Sequence, residues 1–486
     1  MLVTVAMVLA SVVGAGMFAF HFYFLFPRQS DRLFVLRHNT FDHLDFYTDA
    51  WSYAPGDSLT VYASSGRSRE AQILLYDVLE QQVCWDTILR IVRQPIGRDA
   101  AVAGCGWQAT ARWVVPAGLR SGWYVLEMQR GRYRRRQSLC IRPELPTRRV
   151  ALLLSTHTWN AYNPWGGKSL YTRNYSAVVS GLRPQPVSDP WLPNRYTHYQ
   201  LYYQSAGRDL HVAHLLDSLG IAFDAYSMED LHRSPQGLMP YDVLIFSTHT
   251  EYWTPQMMHH LNRCLQRGAS TLFLAGNVAA YVSHLDTTTR RLTVYKREDQ
   301  LWGVADTIGV RPLGTEYSFL GFHTYAPYAV QHDTSWAWAG TKLRDGDLVG
   351  LRSETYDYTY MYDSWWRNLV LLSRRGRDGA AAGLEIDKVY AGTPANWVQL
   401  GTGLNPLVEG HGEVYPDASL AWEPTGADMG YYVHPGGGIV FHASSMAFTG
   451  ALPYDAALRQ LVANLVHRGL TMRHAPLQRL GTSGRY

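Results

Sequence analysis

The stretch "YDVLIFSTHTEYWTPQMMHHLNRCLQRGASTLFLAG", Tyr241 to Gly276, decides how this chain is read. It opens on an apolar run, "YDVLIF", of the kind shown by a strand buried on both faces. It continues through "STHTEYWT", Ser247 to Thr254, where an ordinary connection would carry Gly, Asn, Ser or Pro. "PQMMHHLNRCLQRG" then places Met257, Met258, Leu261, Cys264 and Leu265 on one helical stripe behind Pro255 at the helix start. His259 and His260 face away from that stripe and read as solvated; Cys264 reads as inert core. "STLFLAG", Ser270 to Gly276, is a further apolar strand.

The same alternation extends outward. "RVALLLS" (Arg149 to Ser155) and "GGIVFHAS" (Gly437 to Ser444) are apolar strand runs. "DLHVAHLLDSLG", with Leu210, Ala213 and Leu216, and "DAALRQLVANLVHRG" (Asp455 to Gly469) have helical spacing. Buried strands alternating with amphipathic helices predict an α/β domain over residues 148–470 with a parallel, doubly wound, glutamine-amidotransferase-like sheet. A Trp-, Tyr- and Gly-rich region at about 315–435 breaks the pattern and reads as a β-rich insertion, and 471–486 as a tail. Ahead of this, residues 31–147 contain short β-branched or aromatic runs, "DSLTVYAS", "QILLYDV", "ARWVVP" and "GWYVLEM", separated by turn residues. They predict an immunoglobulin-like β-sandwich.

With 486 residues, 47% hydrophobic and 17% charged, the chain is long and apolar enough to fold as more than one domain. A net charge of +4 and the lack of any zinc-finger or RNA-binding signature argue against a nucleic-acid partner. The one basic cluster, "RGRYRRR" (Arg130 to Arg136), reads as a hairpin tip, or as a contact for lipid phosphates or an acidic partner. Residues 2–26 contain no Asp, Glu, Lys or Arg and are long enough for an N-terminal transmembrane helix within residues 1–30. This predicts a single-pass membrane protein with its soluble domains on the extracytoplasmic, periplasmic side. Cys84 and Cys105 are candidates for a disulfide in such an oxidising compartment.

In open α/β sheets ligands bind beyond the carboxyl ends of the strands. Three such exits carry "THTWNAYNPWGGKSLY" (Thr156 to Tyr171), "THTEYW" and "NVAAY" (Asn277 to Tyr281). His249 and Glu251 are two apart, so on an extended segment they point to one side, as a proton shuttle and a metal ligand require. The pattern equally fits a glutamate capping the helix at Pro255 beside a core histidine. No G-x-S-x-G, H-E-x-x-H or P-loop is present, and the cysteine nucleophile of a glutamine-amidotransferase-like sheet is missing.

"TWNAYNPWGGKSLY", "THTEYW", "LFLAGNVAAYV" followed by "LTVYK", and "GLEIDKV" (Gly383 to Val389) together resemble the large, catalytic subunit of N,N-dimethylformamidase and its relatives, over roughly residues 50–470. "CGW" at Cys105 to Trp107 resembles the module that precedes the domain in those relatives. The resemblance implies a mononuclear ferric site held by two tyrosinates and a glutamate, with a histidine close by. Carried over, Glu251 is the glutamate, Tyr162 and Tyr171 the tyrosinates and His249 the proton relay, with Asn160, Asn163 and Asn277 orienting a small amide substrate. The activity implied is metal-dependent hydrolysis of amide or related C–N bonds, in a family whose enzyme works with a separate small subunit.

A rival reading makes the chain an accessory subunit of a membrane complex, without cofactor. In it "SWAWAG" (Ser335 to Gly340) and "DSWWRN" (Asp363 to Asn368) would form an interface. A third makes it a carbohydrate-binding protein with its aromatics stacked on sugar rings.

Overall fold

The computed structural model describes residues 31–172, 175–191, 206–234, 236–302, 312–318, 320–321, 324–355, 379–405 and 426–472. The first element is helix α1 (Asp31–Thr40), with Asp31 in its first turn and Arg37 and His38 in its last, charges that complement a helix dipole. Eight strands follow: β1 (Leu44–Thr48), β2 (Ser52–Tyr53), β3 (Ser58–Ser65), β4 (Arg69–Asp77), β5 (Val83–Ile91), β6 (Ala111–Val114), β7 (Gly122–Arg130) and β8 (Tyr133–Ile141). They pair as two sheets, β1-β3-β6 and β2-β8-β7-β4-β5. Leu44, Phe46 and Val61 from one sheet and Ile73, Leu126 and Met128 from the other fill a shared core, as strands with a period of two require. Early in β7 the Tyr124 hydroxyl donates to Arg120 O at 2.8 Å and pins the corner before that strand.

Strands β1, β2, β5 and β8 are the ones that the sequence hides. β5 alternates half-buried with exposed positions, and β8 begins in the arginine run. Gly131, at φ 54°, turns the chain between β7 and β8. Arg130, Arg135 and Arg136 then reach Asp42, Asp45 and Glu127. Most of the basic cluster is thus matched by acids of the two sheets and of the turn that leads into β1. Cys84 and Cys105 are both free thiols, one exposed and one buried, so the candidate disulfide is not formed.

Beyond residue 149 lies a nine-stranded sheet. Its strands are β9 (Val150–Leu154), β10 (Phe223–Ser227), β11 (Val243–His249), β12 (Ser270–Gly276), β13 (Tyr328–Val330), β14 (Leu348–Val349), β15 (Val398–Gly403), β16 (Asp428–Val433) and β17 (Ile439–His442), in spatial order β10-β9-β11-β12-β17-β16-β15-β13-β14. The strands β10, β9, β11, β12 and β17 run parallel. From β17 onward every pairing is antiparallel. The expectation of a parallel, doubly wound α/β fold is therefore corrected: the sheet is mixed, and with the sandwich the chain is largely β.

The reason lies in the region read as an insertion. Four of its strands, β13 to β16, complete the same sheet, and the others pair as two small ribbons, Glu316–Ser318 with Ile386–Lys388 and Tyr325–Ala326 with Ala382–Gly383. They are short, and "VQLGTG" (β15) has two glycines where strand propensity asks for β-branched residues. Gly403 is needed there because a Cβ would lie 2.3 Å from Asn405 and 2.9 Å from the Ala427 backbone nitrogen. The tryptophans of "SWAWAG" are spent inside the fold. Trp338 is buried, and half-buried Trp336 donates to the Tyr431 hydroxyl at 2.9 Å.

The membrane anchor and membrane localisation are corrected as well. No helix among the described residues is long and apolar enough to cross a membrane. Residues 2–26, whose lack of charge carried that expectation, lie outside the described residues, as do "DSWWRN" and the tail from 473. The extracytoplasmic side was inferred from the anchor and goes with it.

Four helices matter for the site. α2 (Thr156–Tyr162) follows β9, α3 (Asp209–Ser218) precedes β10, α4 (Pro255–Gln266) joins β11 to β12, and α5 (Ala456–Thr471) closes the sheet. The stripe Met257, Met258, Leu261, Cys264 and Leu265 is buried, as its spacing predicts. Thr254, not Glu251, caps α4 by accepting from the Met257 N–H. That leaves Glu251 available for other work.

Candidate active site

The parallel strands end side by side, and at four of their exits or the segment packed on them the backbone turns through the left-handed region. Thr248 has φ 57°, Asn277 53°, Leu384 69° and Ser444 59°. None is glycine and one is β-branched. Each costs on the order of 1–3 kcal/mol, a strain that persists only where surrounding structure imposes it. The effect is to aim the next side chains, His249, Glu251, Asn277 and Glu385, at one another. Gly276 is the packing key: a Cβ there would sit 2.4 Å from Glu385 O and 2.5 Å from Met446 N. The segment bearing Glu385 can approach β12 only over a glycine.

Tyr162, at the end of α2, donates its hydroxyl to Glu251 Oε2 at 3.0 Å. Tyr171 reaches Glu251 Oε1 at 2.8 Å and Oε2 at 2.6 Å, and also touches the Tyr252 hydroxyl. The rings of Tyr162 and Tyr171 stack with centroids 3.7 Å apart, which holds both phenol oxygens on one side. His249 Nε2 lies 3.4 Å from Glu251 Oε2 and 2.9 Å from Glu385 Oε2. Asn277 Nδ2 donates to that same Glu385 oxygen at 2.5 Å. Lys296 Nζ stands 3.3 Å from the Tyr171 ring centroid and 3.8 Å from Glu251 Oε1. Tyr162, His249, Glu251 and Asn277 are 2–3% exposed, so these interactions are shielded from water.

The electrostatics follow from that burial. Burial pushes the Tyr171 phenol well above its usual range, and the Glu251 charge adds to the effect. Burial alone would depress His249, but the Glu385 carboxylate outweighs it and raises the imidazole. Burial would likewise raise Glu385, and His249 outweighs it and lowers the carboxyl. Burial lowers Lys296 against the pull of Glu251. His249 and Glu385 thus form an ion pair whose proton lies between the two strand exits.

Two overlapping donor sets share Glu251. The first consists of the oxygens of Tyr162, Tyr171 and Glu251. Each phenol oxygen lies 2.6–3.0 Å from a Glu251 oxygen, the spacing of neighbouring ligands around one small cation with metal–oxygen bonds of about 2.0 Å. An all-oxygen set suits a hard ion. The second is His249, Glu251 and Glu385, whose ligand atoms all lie within 4.8 Å of one another.

Of the other residues singled out in the sequence, Asn163 is not brought to the cluster. Its Nδ2 donates to Pro184 O and Gln185 Oε1 at 2.8 and 2.9 Å, and its Oδ1 accepts from the Trp165 N–H. Asn160 likewise serves the loop, accepting through its carbonyl from Arg183. Sequence reasoning missed Glu385, Lys296 and Tyr252. The motifs "GLEIDKV" and "LTVYK" contained two of them but assigned them no role, because nothing in local spacing links them to β11.

The loop carrying both tyrosines is fastened by Arg183, which is fully buried. Its guanidinium donates to Ser180 O, Trp165 O, Lys168 O and Asn160 O at 2.5–3.1 Å. Arg183→Met leaves these carbonyls without their donor, and each buried orphan costs about 1–3 kcal/mol. Allowing for relief from burying the cation, chemical denaturation should show a loss of roughly 3 kcal/mol.

Behind the site, Asp209 accepts from Ser247 Oγ at 2.6 Å. Burial pushes its carboxyl up to about 7, against the hydrogen bond from Ser247. The folded value exceeds the unfolded one of about 3.9, so folding takes up a proton between them. Neutral Asp209 is accommodated fully below about pH 4, and its contribution is lost as pH rises toward 7. Asp209→Asn should therefore flatten the decline of melting temperature with pH across that window, relative to the unmodified chain.

A family profile described as N,N-dimethylformamidase beta subunit-like, C-terminal, matches residues 76–460. No curated protein is significantly similar. Among solved structures, a crystal structure of the Parabacteroides merdae beta-glucuronidase aligns with 49% of this chain and 29% of its own at 10% identity. Its TM-score of 0.18 carries no argument about fold.

Proposed function

The chain belongs to the N,N-dimethylformamidase beta subunit-like, C-terminal family, and on that footing we propose that it hydrolyses the C–N bond of a small amide at the Tyr162–Tyr171–Glu251 cluster, with one iron ion held there. The observation that carries this reading is the meeting of two phenol oxygens and one carboxylate in a water-shielded place. A buried phenol beside a carboxylate is a poorer acid than free tyrosine. A highly charged cation at the shared oxygens reverses that order. When bound, ferric iron supplies Lewis acidity, polarising the substrate carbonyl and making water a better nucleophile.

The protein groups divide the remaining work. Tyr162, Tyr171 and Glu251 would hold the ion and, as three anionic oxygens, would balance the charge of ferric iron. Glu385 stands ready to take a proton from the attacking water, and His249, paired with it at 2.9 Å, passes a proton to the departing nitrogen. Water's oxygen bonds to the carbonyl carbon, the C–N bond breaks, and a carboxylic acid and an amine leave. Asn277 fixes the Glu385 carboxylate through Nδ2. Its Oδ1, buried and without a hydrogen-bond partner among the described residues, is an acceptor for a donor group on the substrate. Lys296 places a positive charge beside Tyr171 and Glu251, which favours substrates that are neutral or anionic over cations.

A second reading, favoured by the ligand spacing of His249, Glu251 and Glu385, puts a divalent ion in that set instead. We also propose that the two sheets before residue 147 form a separate sandwich of immunoglobulin type. Their strand order and the Tyr124 corner support it.

Reconstitution of the purified full chain with ferrous or ferric salt tests the function. Amine release from small formamides and acetamides should depend on iron. If the iron-loaded chain releases amine from none of a broad amide panel, the proposal is wrong.

A further inference from the structure

A separate set of metal-binding side chains gathers at the other end of the described chain. His38 lies in the last turn of α1, and His43 and Asp45 lie two apart at the start of β1. One ligand atom from each lies within 4.8 Å of the others. The alternation of side chains along an extended segment puts His43 and Asp45 on one face, with Leu44 turned into the sandwich core. α1 folds back until the His38 and His43 rings are 3.8 Å apart, centroid to centroid. His38 and Asp45 are buried and His43 is half-buried.

The outer contacts of the two imidazoles are those of metal ligands. His38 Nε2 meets Gln94 O at 3.3 Å, and His43 Nδ1 meets Phe41 O at 3.2 Å. A backbone carbonyl on one ring nitrogen fixes the tautomer and turns the lone pair of the other nitrogen inward. For His38 that nitrogen is Nδ1, which faces Asp45 Oδ2 at 3.5 Å. This is longer than a charge-assisted hydrogen bond of about 2.7–2.9 Å. A lone pair facing a carboxylate at that distance is favourable with a cation between them. For His43 the inward nitrogen is Nε2, 2.9 Å from Ser64 Oγ. That hydroxyl can give its proton to Gln94 O at 3.0 Å and keep its oxygen as a further donor.

Trp107 stacks on His38 at 5.6 Å and closes one side. Two cations stand nearby. Arg135 Nε is 3.3 Å from Asp45 Oδ1, which leaves Oδ2 for an ion. Arg93 is turned to the carbonyls of Thr40 and Gly66.

We propose that His38, His43 and Asp45 form a second metal site, taking a divalent ion of the zinc class and clasping α1 to the sandwich. Two nitrogens and one carboxylate with room for a fourth ligand suit zinc. The clasp reaches the candidate active site through α1. Asp31 lies 3.3 Å from Lys168, and Phe34 packs edge-on against Trp165 at 5.1 Å. Lys168 and Trp165 belong to the loop between Tyr162 and Tyr171.

The test uses the full chain carrying Glu251→Gln, so that the first cluster does not compete. After equilibration with zinc and desalting, about one zinc per chain should remain. His38→Gln, His43→Gln and Asp45→Asn, each added to that background, should lower retention at least tenfold, and zinc should raise the melting temperature of the background but not of these variants. No retained zinc in the background, or undiminished zinc in variants that still melt cooperatively, overturns the proposal. Should the variants fail to fold, the cobalt(II) spectrum of the background decides. Intense bands of a four-coordinate site support the clasp, and the weak spectrum of hydrated cobalt overturns it.

Discussion

Glu251→Gln is expected to abolish both iron binding and hydrolysis while leaving the chain folded. The carboxylate accepts from Tyr162 and Tyr171 and lies within 4 Å of His249 and Lys296. Both phenols, the His249 imidazole and the Lys296 ammonium therefore refer to this one residue. The amide keeps the shape but removes the charge, and its NH₂ group replaces an acceptor that one phenol used. The loss of kcat/KM should be at least about 10³-fold, equivalent to roughly 4 kcal/mol of transition-state stabilisation. Stability should move far less than activity. Gln keeps the volume, and the desolvation cost of the buried carboxylate that it removes offsets part of the counter-charge that His249 and Lys296 lose. Activity measured beside a melting curve separates the two effects. A fall in melting temperature matching the loss of activity would make Glu251 a structural residue.

Glu385→Gln is expected to leave the metal in place and remove the proton transfer. Glu385 contacts His249 at 2.9 Å and Asn277 at 2.5 Å, but it does not belong to the tyrosine set. Loss of a general base costs typically about 10²–10⁴-fold in kcat. KM should change little, and the limb of the pH–rate profile that reports the carboxyl should vanish. His249, no longer raised by the Glu385 charge, should titrate lower, which a pH series by NMR detects. Metal content distinguishes the two donor sets. If Glu385→Gln empties the site, His249, Glu251 and Glu385 are the ligands and the phenols are bystanders.

The sequence made part of this visible, and the physics explains which part. Strands β9, β11 and β12 and helix α4 were legible because each is a local pattern, a short apolar run or a stripe of period 3.6. The exit of β11 pointed to His249 and Glu251 by spacing, the resemblance to N,N-dimethylformamidase added Tyr162 and Tyr171, and the structure brings these four together. The antiparallel half of the sheet was not legible. β13 and β14 are only three and two residues long, and β15 and β16 are interrupted by glycines whose reason is a tertiary contact, such as Gly403 against Asn405. Glu385 escaped for a related reason. It is delivered by a segment that crosses over Gly276, and no spacing along the chain encodes that crossing. Asn163 failed in the opposite direction. As a polar side chain in a motif loop it looked like a substrate contact, but its amide closes the loop on Gln185 and Pro184.

The central claim is that both phenol oxygens and the Glu251 carboxylate bind one cation. Visible absorption of the iron-reconstituted full chain tests it most directly. One iron per chain should give a phenolate-to-iron charge-transfer band that weakens in Tyr162→Phe and in Tyr171→Phe and disappears in the double variant. An iron-loaded chain with no such band, or one whose band survives both substitutions, would contradict the account.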